Sequence, residues 1–189
     1  MTELQNYIQT YFSLSKEDLE KVASMFQFET IEKGKFILKE GQYCQKLSFV
    51  KEGLIRVYAH RGGREVTQWI STKGYFVMDI YSFLFEQKSR WNLQTLTDAE
   101  LFSITKTDYH RLQDLVPKWP LIEKQFIASC FVTLENRVFD HLSLSAEERY
   151  DKLFEENKEL FNQVSLQYLA SMLGMTPETF SRIRKKKLS

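Results

Sequence analysis

Apolar positions change their spacing along this chain, and each change marks a different kind of element. Over residues 1–27 they recur every three or four places: Leu4, Ile8, Tyr11 and Phe12, then Leu19, Val22, Ala23 and Phe26 after a capping Ser15. That spacing predicts two helices. From about residue 30 to 105 the apolar residues fall into short or alternating runs instead: Lys35–Leu38, Leu47–Val50, Leu54–Ala59, Glu65–Ile70, Leu93–Leu96 and Glu100–Ile104. Six of the seven glycines lie between Gly34 and Gly74, so the turns are concentrated there, and Gly62-Gly63 between two runs signals a hairpin. Short strands with regular turns predict a small antiparallel barrel or sandwich.

Beyond residue 115 the helical period returns. Pro117 and Pro120 bracket the start of a long helix expected to reach about Leu142. Its apolar residues include Leu121, Ile122, Phe126, Ile127, Phe131, Leu134, Val138 and Phe139, which occupy more than one narrow stripe. Either the helix is buried within one chain, or a second copy covers one face. The 4, 3, 4 spacing of Ile127, Phe131, Leu134 and Val138 favours a dimer seam. Next, Ser145-Ala-Glu-Glu148 is a capping box that opens a helix carrying Tyr150, Leu153 and Phe154, with Glu155–Lys158 at its end.

The last stretch carries the sharpest signal. A helix is expected after Ser165, with Leu166, Leu169, Ala170 and Leu173 on one face. Gly174 allows the positive φ at which a helix stops, Thr176 is a ready N-cap, and Pro177 suits the first helical position. The second helix buries Phe180 and Ile183 and turns Ser181, Arg182 and Lys185 outward. Small Ala170 stands at the crossing, so the pair predicts a helix-turn-helix. Thr176, Glu178 and Thr179 open the second helix, where such helices meet base edges, and Ser165 opens the first. From Arg182 to Lys187 five of six residues are basic, which assigns Lys185 and Lys186, with Lys187, to phosphate. A plain surface hairpin with a basic end is the alternative. The coincidence of caps, turn and basic run favours the DNA reader.

Composition narrows the class. A hydrophobic fraction of 43% with 14% aromatics describes a globular chain, not a disordered one. The formal net charge of +1 excludes a nonspecific polycation, so positive charge matters only where it is concentrated, at the last helix. Cys44 and Cys130 form neither a disulfide framework nor a metal cluster, and His60, His110 and His141 stand apart, so no metal site is expected. Reduced thiols, no signal peptide and no run near the roughly 18 apolar residues of a membrane span predict a cytoplasmic protein. No nucleophile–base grouping or phosphate loop points to an enzyme. The expected class is α+β: a sensor region over 1–115, a dimerisation helix over 116–144 and a helix-turn-helix domain over 145–189.

This order of parts resembles the Crp/Fnr family of bacterial transcription regulators over nearly the whole chain. Glu40-Gly41-Gln42 and Leu47–Tyr58 look like the start of that family's cyclic-nucleotide-binding-type barrel, a jelly roll. Ser145–Tyr150 and Leu166–Arg184 look like its short helix and reading head. The resemblance implies a homodimer on two-fold symmetric double-stranded DNA, and it raises RNA polymerase as a further partner. It also implies an effector pocket at Gly74, Tyr75, Met78, Asp79, Ser89, Arg90 and Trp91.

There the chain departs from the family. The family's Gly-Glu pair falls on Met78-Asp79, and counting back from Glu100 puts Ser89 at the phosphate-binding arginine. Arg90, one place on, points to the other face of a strand. Without that arginine a cyclic phosphate loses a charge-assisted contact. Tyr75, Phe76, Tyr81, Phe83, Phe85 and Trp91 crowd the segment instead. The pattern speaks against cyclic AMP and for a less polar effector or none. No strand run follows the second helix of the helix-turn-helix in the sequence, so the family's wing, a strand pair in that place, is not expected. A second reading keeps the barrel as a ligand-binding module whose terminal helices dock a protein. The basic second helix discriminates against it, because a docking helix exposes an apolar patch.

Overall fold

The computed structural model describes the backbone of residues 1–188 and the side chains of residues 1–187. Two helices open the chain, α1 (Glu3–Tyr11) and α2 (Lys16–Ser24). Thr2 forms a capping box with Gln5, and the Ser15 hydroxyl accepts the Asp18 N–H. Eight strands follow: β1 (Gln27–Ile31), β2 (Phe36–Leu38), β3 (Lys46–Glu52), β4 (Ile55–Arg61), β5 (Arg64–Ser71), β6 (Phe76–Val77), β7 (Asn92–Thr95) and β8 (Ala99–Thr105). They form two four-stranded sheets, β1-β8-β3-β6 and β2-β7-β4-β5. In the first sheet β8 is the centre: Phe102 faces Phe28 of β1 on one side and Phe49 of β3 on the other, both antiparallel.

Six strands sit within a residue or two of where alternation predicts them. Elements without a clear period were not anticipated: β1, β6, α3 (Ile80–Phe85), α4 (Lys106–Leu115) and α7 (Leu160–Gln163). Two turns show why glycine is placed as it is. Gly62 and Gly63 both have positive φ, 58° and 75°, as the tight β4–β5 hairpin requires. Gly53, between β3 and β4, has φ 96°, and a Cβ there would lie 2.5 Å from the Asp98 carbonyl oxygen.

The chain divides into two compact units, Met1–Val57 with Ile70–Ser129, and Tyr58–Trp69 with Cys130–Ser189. The first has a continuous core in which Ile8, Phe12, Leu47, Phe49, Ile55, Leu93, Leu101 and Ile104 are fully or almost fully buried. The long helix α5 (Trp119–Ser143) starts in this unit. Its Phe126 ring packs 4.7 Å from Phe12 and 4.9 Å from Phe76, and Trp119 stacks on Phe12 at 5.2 Å.

The second unit holds the rest of α5, α6 (Ala146–Glu156), α7, α8 (Leu166–Met172) and α9 (Pro177–Leu188). Its core is aromatic: Tyr150 lies edge-on to Phe161 and Phe180 at 5.2 and 5.1 Å, and Phe161 stacks on Phe180. Among the described residues no strand follows α9. The strands of this unit come from the outer part of the β4–β5 hairpin, where the Thr67 N–H donates to Ser171 Oγ of α8 (2.9 Å). Arg137 of α5 lies over the Trp69 ring at 4.2 Å and donates to the Gln68 carbonyl. Among the described residues no helix is long and apolar enough to cross a membrane.

Candidate nucleic-acid interface and effector site

The two terminal helices meet as their caps dictate. At the end of α8 the Met175 N–H donates to the Ala170 carbonyl (3.0 Å) and the Gly174 N–H to that of Ser171 (3.1 Å). This is the paired bonding of a Schellman stop, made possible by Gly174 at φ 66°. The Thr176 hydroxyl then accepts the Thr179 N–H (3.2 Å) and starts α9. Ala170 and Phe180 are fully buried and Ile183 nearly so, which fixes the rotation of α9. That rotation leaves Thr176, Glu178, Ser181, Arg182 and Lys185 exposed and Thr179 half-buried. Glu178 and Arg182, four apart, share the outward face. Ser165 stands exposed at the head of α8, with no capping bond from its side chain.

Arg149 is a part of this framework that periodicity did not single out. Its Nε donates to the Leu173 carbonyl (2.9 Å) and its Nη1 to that of Leu144 (2.6 Å). One guanidinium thus serves carbonyls left over at the ends of α8 and α5. Its place after the capping box was the available signal.

The basic end of α9 is arranged differently from the sequence expectation. Lys185 is exposed, but Lys186 Nζ lies 3.1 Å from both carboxylate oxygens of Glu147. Lys187 Nζ lies 2.8 Å from Asp151 and 3.3 Å from Glu147. Lys186 first, and then Lys187, holds the Glu147 carboxyl below the usual carboxylate range.

The predicted effector positions fall in several local settings. Asp79, Ser89 and Trp91 do come together. Asp79 Oδ1 accepts the Ser82 N–H (3.2 Å) as the N-cap of α3, and Oδ2 accepts the Ser89 hydroxyl (2.8 Å). Ser89 Oγ also accepts the Trp91 N–H (3.0 Å). Asp79 and Ser89 are both buried. The two residues that the resemblance put at an effector's sugar and phosphate are therefore hydrogen-bonded to each other. Arg90 is exposed and lies over the Tyr81 ring at 5.0 Å; it stands in a bend before β7, not in the strand that the sequence reading expected, so alternation does not set its direction. Gly74 and Tyr75 belong to a turn against β3, where the Gly74 N–H donates to the Val50 carbonyl. Met78 is half-buried. The aromatic crowd also disperses, with Phe83 buried against Tyr109 and Phe85 mostly exposed.

On α5 the four seam positions are open in this chain: Ile127 is half-buried, and Phe131, Leu134 and Val138 are 63%, 49% and 51% exposed. Val132, Phe139 and Leu142 extend the same apolar surface.

The chain is thus built of a double-sheet, jelly-roll-like barrel, a long helix and a capped helix-turn-helix. Comparison with known proteins agrees. Residues 28–114 match the cyclic nucleotide-binding domain. The cyclic AMP receptor protein of Thermus thermophilus is 26% identical over 181 residues, covering 92% of this chain and 82% of that one. Among solved structures, CLP, the c-di-GMP responsive global regulator of Xanthomonas campestris, matches with a TM-score of 0.69 at 19% identity over 92% of each chain. FixK2 of Bradyrhizobium japonicum matches with a TM-score of 0.68 at 18% identity, over 85% of this chain and 83% of that one. The chain thus carries a cyclic nucleotide-binding domain over residues 28–114 and is similar over most of its length to regulators of the Crp/Fnr type.

Proposed function

We propose that this protein is a homodimeric, sequence-specific DNA-binding transcription regulator, working in the cytoplasm. In this reading residues 1–115 sense, 116–144 dimerise and 145–189 read DNA. The observation that carries it is the rotation of α9. The same cap and core contacts that bury Phe180 and Ile183 turn Thr176, Glu178, Ser181 and Arg182 to one exposed face. Glu178 accepts from a cytosine amino group, and Arg182 pairs with guanine O6 and N7, each worth about 1–3 kcal/mol of discrimination. Thr176 and Thr179 stand beside them at the base-edge end of α9, while Ser165 and Lys185 contact the backbone and set the register. The apolar face of α5 around Phe131 and Leu134 is the dimer seam, and RNA polymerase is the partner through which a bound dimer acts on transcription.

The effector of the barrel is not cyclic AMP. Ser89 brings no positive charge to a cyclic phosphate, and its hydroxyl is already committed to Asp79. Any effector is a less polar molecule.

The test is a binding series over single-base variants of a selected symmetric site, at several salt concentrations. Arg182→Ala should lose roughly 5- to 150-fold in affinity at particular base pairs and become indifferent to them. If Arg182→Ala weakened every sequence equally, it would be a phosphate contact and not a reader.

A further inference from the structure

The lysines that end α9 already have anionic partners. Glu147 and Asp151 stand four apart on α6 and so on one face, and between them they engage Lys186 and Lys187 at 2.8–3.3 Å. A carboxylate oxygen satisfies an ammonium group as a phosphate oxygen does, so α6 and a DNA backbone compete for the same two cations. The pairs are well exposed, with side chains 38–69% accessible. Ion pairs this open add little to folding stability and exchange partners readily. Among the described residues Glu178 and Arg182 take part in no ion pair, so the competition spares the base-reading face.

We propose that Glu147 and Asp151 act as a built-in substitute for DNA phosphate, restraining the sequence-independent affinity of the reading head. This rests on the DNA-binding reading above and names a control on that same site. Attraction to any duplex grows with the number of phosphates neutralised, and each neutralised phosphate steepens the dependence of log K on log salt by about 0.9. When the two lysines must first leave their carboxylates, the gain from two phosphate contacts is offset by the loss of three ion pairs. Binding then depends more on base contacts and less on bare charge.

The experiment uses the full chain and a mixed-sequence duplex, with affinity measured across a salt series. E147Q/D151N should bind more tightly at low salt, with a slope steeper by up to about 1.8 per subunit, two contacts at about 0.9 each. K186Q/K187Q should leave the slope close to wild type, because these lysines are already neutralised. Added to E147Q/D151N, the same lysine changes should return the slope to the wild-type value. The proposal is overturned if E147Q/D151N leaves affinity and slope unchanged, or if K186Q/K187Q alone flattens the slope by two full contacts. Should no variant bind any duplex, the DNA-binding reading itself falls and takes the proposal with it. All four positions are surface sites, the two carboxylate exchanges keep side-chain shape, and circular dichroism melts verify that each variant folds. If the carboxylate variant fails to fold, the lysine variant still decides the matter through its own slope.

Discussion

Two glycines in this chain do the same conformational job under different constraints, and the difference can be measured. Gly174 takes φ 66° to end α8, and a Cβ there would meet only the His141 ring, at an ordinary 3.5 Å. Ala in its place therefore carries only the left-handed penalty, about 1–2 kcal/mol. Gly53 has φ 96° as well, but its Cβ would run into the Asp98 carbonyl oxygen at 2.5 Å and the Ala99 backbone at 2.9 Å. Backbone cannot swing aside as a side-chain tip can. Gly53→Ala should cost about 3 kcal/mol or more, strain and displacement together. Urea unfolding of both variants should place Gly53→Ala clearly below Gly174→Ala, and equal losses would mean that the β3–β4 turn yields. The φ requirement at Gly174 was legible in the sequence, from its position before a Thr-Pro start. The crowding at Gly53 was not, because Asp98 and Ala99 are distant in the chain.

At the scale of elements, what could be read followed from period and caps. Ser15, Ser145 and Thr176 each cap the helix assigned to them, and the strand runs from Lys35 to Ile104 became strands. Where the period was short or absent, reading failed. The segment Ile80–Phe85 has no polar spacing and looked like an aromatic pocket lining, yet it is the helix α3. Asp79, which the resemblance put at an effector's sugar, also caps that helix and accepts from Ser89, a partner that could not be placed from sequence. β1 was lost for a related reason: its Gln-Phe-Glu-Thr-Ile sequence is largely exposed and carries too few apolar residues to alternate.

The cap role makes a prediction that a ligand-binding role does not. Asp79→Ala leaves the buried Ser82 N–H without its acceptor and the Ser89 hydroxyl with only the Trp91 carbonyl. It should lower stability by roughly 2–4 kcal/mol with no ligand present, from a lost cap and a charged hydrogen bond. Calorimetric titration of the wild type with cyclic AMP should give no binding heat at micromolar concentrations. Tight binding, together with an unaltered melting point for Asp79→Ala, would restore Asp79 to a ligand site.

For the whole molecule the decisive surface is the outer part of α5. A helix buried within one chain was the competing reading of its broad apolar pattern, and the side chains settle that point: Phe131, Val132, Leu134, Val138, Phe139 and Leu142 are about half or more exposed. Single exposed apolar residues are ordinary, but this many on one helix form a contiguous patch of the kind that marks an interaction site. A second α5 is the natural cover, since Ile127, Phe131, Leu134 and Val138 keep the spacing of a two-helix seam. A symmetric pair also gives the two reading heads that a two-fold DNA site requires. Phe131→Asp or Leu134→Asp would put an unpaired carboxylate into that seam, where its desolvation is opposed by several kcal/mol. In one isolated chain the same changes fall on exposed positions and should barely alter the melting of the monomer. Sedimentation should therefore show folded monomers, with affinity for a symmetric site falling toward that of a half-site. If both variants sediment as dimers, the apolar face of α5 is covered by something other than its own copy.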